Sequence, residues 1–473
     1  MIEYVAQPEE VDLLIEGGVV VTMDPAGRIL YDGAAAIRDG HIVAVGERGE
    51  LAGRYRARRT LEGRGKALLP GFVDTHHHCL QNYLKGSRDD LALVEWIDQV
   101  SSPRIVMAVA DYRAGRYDLQ YHATRLGCVE ALLCGITTLL NMEWATHPDL
   151  IGVYEAAGIR AVHTLTMTDY DQWGRPGMLL PMPEAYALAD QLLERCRRSA
   201  GGRVQFRYGL ACPNSCTGDL MREARARASA QGVGVHIHIA ETKFEWDNIH
   251  DLYGTTPTRY LYNLGLLGPD VLGAHCIWLN DDDIALLKET ETKVSHNPEC
   301  NMKVADGVAP VAKMLKAGVT VSLGTDSCAV NDNMDMFEAA RLAAILQKVT
   351  VNDPAAVPAY QALEMATLGG AKALGLGDEV GSIEVGKKAD LILVDLSGYH
   401  LRPINNLVNN LIYCASAARD VETVIVDGRI VVEGRKLLTL DAEAVFAEAE
   451  AYAARRFREA GLFVSPYYAK LVA

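Results

Sequence analysis

The sequence predicts an α/β protein: a (β/α)8 barrel of the TIM type with a small β-sandwich built from both chain ends. Three observations point there. Short apolar strands alternate with longer helical stretches through about 300 central residues, and repeated β/α units of that length favour a closed parallel barrel. The two ends share another texture, short alternating strands broken by Asp-Gly and Gly-Gly turns. Histidines and an aspartate recur where central strands end, the position at which such barrels carry reactive groups. The expected division is 1–67 for the first part of the sandwich and 68–379 for the barrel. Residues 380–440 then complete the sandwich, and 441–473 form a helical tail.

Taken in order, Asp12–Glu16, Gly18–Thr22, Ala34–Arg38 and His41–Val45 read as strands separated by Gly17-Gly18, Asp24-Pro25, Asp32-Gly33 and Asp39-Gly40. The barrel pattern begins at Phe72–His78 and continues with Arg160–Thr164, Val204–Tyr208, Gly234–Ile239, Val271–His275, Lys293–His296 and Val319–Leu323. Helices are expected over Pro183–Ser199, where a proline suits the first turn, and over Leu220–Gln231. The β texture returns at Ala389–Asp395 and Glu422–Glu433. The Ala/Glu-rich run Asp441–Gly461 reads as a solvated helix packed on the body or on a neighbouring subunit.

Composition narrows the function. Of 473 residues 49% are apolar and 23% charged, ordinary values for a globular chain. A net charge of −15 without a basic stripe speaks against nucleic acid and anionic membranes as partners. No apolar run approaches the ~18–20 residues of a membrane span. Ten cysteines follow no disulfide framework and no basic-then-apolar leader precedes them, so reduced thiols in a cytoplasmic protein are expected. The C-x3-C pair Cys212 and Cys216 is a weak zinc signal.

The chemistry-bearing residues start at His76-His77-His78. Side chains two apart on a strand share a face, so His76 and His78 can grip one ion while His77 points away. Val235–Glu241 repeats the alternation: His238 lies near the strand end, His236 one step deeper, and Glu241 three residues on, placed to shuttle protons. His275 closes another apolar run. Asp326 ends a third, where a carboxylate is costly unless paired, protonated or bound to metal. Three imidazoles and one carboxylate suit zinc or ferrous iron with a water in the open position. No lysine stands at a strand end to bridge a second ion, so one divalent metal, zinc before iron, is expected.

The motifs Leu69–His78, His238-Ile-Ala-Glu241-Thr, Gly273-Ala-His275-Cys, Ser295–Lys303, Gly307–Pro310, Gly324-Thr-Asp326 and Gly381–Leu391 lie in one order along almost the whole chain. They resemble the aminohydrolase branch of the amidohydrolase superfamily. That branch holds methylthioadenosine/S-adenosylhomocysteine deaminases, guanine and 8-oxoguanine deaminases and triazine hydrolases. The resemblance implies that His76, His78, His238 and Asp326 hold the metal, that Glu241 shuttles the proton, and that His275 bonds the attacking water or the substrate. It implies hydroxide attack on an amidine-like ring carbon, Asp326 accepting the water proton, and loss of ammonia, an amine or another leaving group. A homodimer or homotetramer is also implied. A non-catalytic scaffold would be free to lose these groups, yet all six are present.

Substrate choice departs from the nucleoside pattern. Ile105 stands where adenosine-type deaminases place a ribose-binding glutamate, and Ala211 where they place a histidine. Ala211-Cys212 also lacks the arginine and phenylalanine of guanine deaminase. Gln81 matches a glutamine of guanine deaminase and atrazine chlorohydrolase and can bond a heterocycle edge. Trp96 is the other expected substrate contact. Trp96, Asn141, Glu143 and Trp144 are expected in strand-end loops, with Trp144 chiefly structural, and Cys328 as a small apolar wall residue. The expected activity is deamination of a small planar N-heterocycle such as a purine base, pterin or triazine. One alternative is release of chloride or alkylamine from a triazine, or cleavage of a urea or carbamate; another is methylthioadenosine/S-adenosylhomocysteine deamination.

Overall fold

The computed structural model describes residues 7–170, 177–459 and 461. The first strands are β1 (Glu9–Val21), β2 (Ile29–Arg38), β3 (His41–Glu47), β4 (Tyr55–Glu62) and β5 (Lys66–Pro70). The barrel follows with β6 (Phe72–His77), β7 (Ile136–Glu143), β8 (Arg160–Met167), β9 (Val204–Leu210), β10 (Gly234–Ile239), β11 (Val271–His275), β12 (Lys293–His296) and β13 (Val321–Leu323). The chain returns to the first sheet with β14 (Leu391–Asp395), β15 (Val421–Val426), β16 (Arg429–Glu433) and β17 (Lys436–Leu437).

The eight central strands lie side by side in sequence order, each parallel to the next. The seam between β13 and β6 is bridged rather than fully laddered. The Thr75 hydroxyl donates to the Leu323 carbonyl at 2.9 Å, and the Asp326 N–H donates to the His76 carbonyl at 2.8 Å. Every residue of β6, β7, β8 and β11 is buried, as expected for strands covered on both faces. The expected helices form as Met182–Arg197 and Gly218–Gln231, the second capped by the Thr217 hydroxyl accepting from Leu220 N–H.

Both chain ends build one nine-stranded mixed sheet, as the matching end textures predict. Its join is the antiparallel pair β5–β14, running from Leu391 opposite Pro70 to Asp395 opposite Lys66. The sheet curls until its turns meet: a Cβ on Gly428 would lie 2.7 Å from Gly40 Cα, so that approach requires glycine. The apolar residues Leu13, Ile37, Ile42, Leu391 and Ile425 fill the inside of the curl. Lys66–Pro70 belongs to this sheet, so the chain enters the barrel a few residues later than expected.

The tail helix spans Ala442–Glu459 and packs on the helix Asp118–Leu133 through partners such as Arg125 and Glu448. The expected tail beyond 461 and the first six residues lie outside the described residues. One expectation is corrected. Asn141 and Glu143 are inside β7, not in a loop, and anchor the backbone after His78. Asn141 Oδ1 accepts from Cys79 N–H at 2.9 Å, and Glu143 accepts from Leu80 N–H at 2.6 Å. No described helix is long and apolar enough to cross a membrane.

Candidate active site

The reactive side chains converge at the C-terminal mouth of the barrel. Chain geometry there is strained: Ala240, His275, Cys276 and Asp326 have φ of 49°, 71°, 50° and 57°. Each such residue costs of order 1–3 kcal/mol, held by the surrounding barrel. Gly324 lets the loop close over the first histidine, since a Cβ there would lie 2.5 Å from Asn297 Oδ1 and 2.8 Å from His76 Cβ.

His76, His78 and His238 bring ring nitrogens within 4.8 Å of one another. Asp326 Oδ1 lies 3.4 Å from His76 Nε2 and 3.7 Å from His78 Nε2. The other ring nitrogens decide what these atoms can do. His78 Nδ1 faces the Met142 carbonyl at 2.7 Å and His238 Nδ1 the Ala211 carbonyl at 2.5 Å. A carbonyl only accepts, so each Nδ1 carries the proton and each Nε2 keeps a free lone pair. His236 Nδ1 likewise donates to the Leu272 carbonyl at 3.0 Å, leaving its Nε2 to accept from His76 Nδ1 at 2.7 Å. His76 Nε2 is thereby bare, and it is a fully buried atom without any hydrogen-bond partner.

Burial pushes the pKa of His76 and His78 down to about 4 and of His238 down to about 3, so the rings are neutral at pH 7. Burial acts to raise Asp326, but the imidazoles around it, His76 first, hold it well below the carboxylate range. Three free lone pairs, two of them within 3.7 Å of one anionic oxygen, are donors suited to a divalent ion, with outer partners fixing each ring.

Glu241 follows β10, and the Thr242 hydroxyl caps the next helix by accepting from Glu245 N–H at 3.0 Å. Glu241 Oε1 lies 3.4 Å from His275 Nε2, whose ring is turned by Asn301 Oδ1 at 2.8 Å from Nδ1. Burial, with the Asp326 and Glu245 charges adding, raises Glu241 well above the usual carboxyl range. That direction favours the protonated carboxyl, the form that can donate to a substrate.

These groups open into a cavity of about 120 Å³. Gln81 and Trp96, the expected substrate contacts, are among its lining residues, and Gln81 Oε1 and Trp96 Nε1 are buried without partners. Ile105 and Ala211 also reach the cavity, beside Leu93, Met178 and Val330. Trp144 lines it too and stacks on His78 with ring centroids 5.7 Å apart. His77 points away, as expected, with Nε2 2.8 Å from Asn82 Oδ1 and Nδ1 3.1 Å from Thr325 Oγ1. Cys328 packs in the core outside the cavity lining, and Cys216 is held in the core, its thiol donating to the Met167 carbonyl. Sequence reasoning missed Cys300 and Asp306. The first lines the cavity and the second lies behind Trp278, whose Nε1 donates to the Asp306 carbonyl at 2.9 Å.

A parallel eight-stranded barrel with an imidazole–carboxylate cluster at its mouth defines a barrel hydrolase. The Amidohydrolase family model matches residues 67–431, and the chain belongs to that family. It is 38% identical over 438 residues to a 5'-deoxyadenosine deaminase of Methanosarcina acetivorans, covering 93% of this chain and 96% of that one. It is 37% identical over 449 residues to a 5-methylthioadenosine/S-adenosylhomocysteine deaminase of Syntrophobacter fumaroxidans, covering 94% and 98%. An adenosine deaminase structure from Xanthomonas campestris with bound zinc superposes with a TM-score of 0.88 at 32% identity, covering 96% of this chain and all of that one. The chain is thus an enzyme, a hydrolase of carbon–nitrogen bonds other than peptide bonds.

Proposed function

We propose that the enzyme is a metal-dependent aminohydrolase that releases ammonia from an amino-substituted planar nitrogen heterocycle. The observation that carries this is an ion-ready donor set facing the buried Glu241 carboxyl across one small cavity. His76, His78, His238 and Asp326 would hold one divalent ion, zinc before iron. When bound, such an ion supplies Lewis acidity and a water of lowered pKa as nucleophile.

The chain's own groups do the rest. Trp96 and the apolar wall hold a flat ring, and the Gln81 amide meets its polar edge. Glu241 Oε1 holds a proton and passes it to a ring nitrogen as the adjacent carbon is attacked. His275, its Nδ1 proton given to Asn301, presents Nε2 to the attacking water or the developing hydroxyl. Asp326 accepts the water proton, its Oδ2 lying 3.7 Å from His275 Nε2. The proton on Asp326 then goes to the leaving amine, which departs as ammonia, and the added hydroxyl returns its proton to Glu241 as the ring carbonyl forms.

Ile105 and Ala211 in the cavity wall favour a free base, pterin or aminotriazine over a ribose-bearing substrate. A specific observation supports a second reading, a 5'-deoxynucleoside of adenine. Ser102 lines the cavity beside Ile105 with its hydroxyl buried and unpartnered, and the named relatives act on such compounds. Ammonia release from zinc- and iron-loaded protein, measured against free heterocycles and 5'-substituted adenosines, tests both. Activity on free heterocycles alone supports the first; activity on the nucleosides alone replaces it with the second; silence on all refutes deamination. We further propose a cytoplasmic homo-oligomer: all ten cysteines are free thiols, and light scattering checks the assembly.

A further inference from the structure

The cavity wall holds a second donor set. Glu241, His275 and Cys300 place a carboxylate oxygen, a ring nitrogen and a thiol sulfur within 4.8 Å of one another, and all three line the cavity. Cys300 is in the helix Pro298–Lys303 and is 1% exposed. Asp306, 7% exposed, has one carboxylate oxygen without a partner, and its charge interacts with those of Glu241 and His275.

We propose that Glu241, His275 and Cys300 form a second cation site, selective for a borderline or soft divalent ion such as zinc or cadmium, and that filling it inhibits the enzyme. An oxygen, nitrogen and sulfur donor set favours such ions over magnesium or calcium, which take oxygen alone. Three protein ligands with an open position are enough for zinc. Asp326 faces both clusters, with Oδ1 toward His76 and His78 and Oδ2 3.7 Å from His275 Nε2. One carboxylate can therefore lie between two ions and lessen their repulsion. Binding displaces the Cys300 thiol proton and the Glu241 proton to solvent, as thiolate and carboxylate ligation requires. It also occupies Glu241, which passes the proton to the ring nitrogen, and His275, which faces the attacking water, which is why it inhibits.

The inference rests on the single-ion reading of the histidine cluster, and the test separates the two. Protein holding one equivalent of zinc is titrated with cadmium. Metal per chain after equilibrium dialysis, ultraviolet thiolate-to-cadmium charge-transfer absorption and turnover are followed together. A second equivalent is expected to bind, with the absorption band rising and turnover falling in step. Cys300→Ser, close in shape, should abolish the band and weaken the second equivalent at least about tenfold, since even outer-sphere changes cost that much. Glu241→Gln should weaken it similarly, whereas Cys212→Ser, the other cavity thiol, should keep the band. A count that stays at one in excess cadmium overturns the second site alone. So does a band that survives Cys300→Ser and disappears in Cys212→Ser. Failure to load even the first equivalent refutes the histidine site itself.

Discussion

Glu241 is useful because burial beside the Asp326 charge favours its protonated form. Glu241→Gln keeps the shape and the hydrogen-bond donor but cannot release a proton, so turnover should fall by about 10²–10⁴-fold. Metal content should stay at one equivalent; unchanged turnover would refute the proton-transfer role. The histidines give a second expectation. An ordinary imidazole binds a proton below about 6.5, and protons then compete with metal. Here burial lowers His76 and His78 to about 4, so protons do not compete until the pH approaches that value. Metal retained after dialysis should be flat from pH 7 to about 5 and fall steeply near 4; a midpoint near 6.5 would contradict the ring environments described. These histidines were legible in the sequence because alternation along a strand fixes which side chains share a face. Cys300 and Asp306 were not, since they reach the site through a helix and a loop whose placement is set by tertiary packing.

Among the elements, strand ends rather than strand bodies shape the site. His275 and Asp326 turn with positive φ, and Gly324 allows the loop before Asp326 to pass against His76. Gly324→Ala would press a methyl group into the Asn297 amide and the His76 Cβ, a contact neither can escape in a filled barrel. A loss of about 1–3 kcal/mol in unfolding free energy is expected, together with reduced metal content. Normal stability and full metal loading would show that the loop is looser than described. Strand positions were readable from apolar runs, but β7 shows the limit of that signal. Ile136–Glu143 mixes apolar and polar residues, so its last positions looked like a loop. Asn141 and Glu143 are buried because their side chains satisfy the backbone of the Cys79–Leu84 turn, a pairing that no local pattern reveals.

At the scale of the whole molecule, the sheet made from the chain ends meets the barrel at the opposite pole from the chemistry. Arg160, the first residue of β8, donates from Nε and Nη2 to the two carboxylate oxygens of Asp390 at 2.8 and 3.0 Å. Both side chains are almost fully buried, and Asp390 Oδ1 also accepts from Asp427 N–H at 2.8 Å. One carboxylate thereby ties the barrel floor to the approach to β14 and to the β15–β16 turn. Both parts of this contact were within reach of the sequence, but their pairing was not, because residues 160 and 390 meet only after the barrel has closed and the chain has returned. Asp390→Ala leaves the buried Arg160 guanidinium with only the more distant Asp427 carboxylate, 4.0 Å from Nη2, which should cost about 3–5 kcal/mol. The charge lies at the N-terminal ends of the strands, whereas His76, His238 and Asp326 sit at the other ends, so the surviving folded fraction should keep its metal stoichiometry and its turnover per metal. Thermal unfolding and metal analysis of the same sample check this. A fall in turnover per bound metal would mean that strain at the floor is transmitted through β8 to the mouth, and that the terminal sheet positions the site as well as stabilising the barrel.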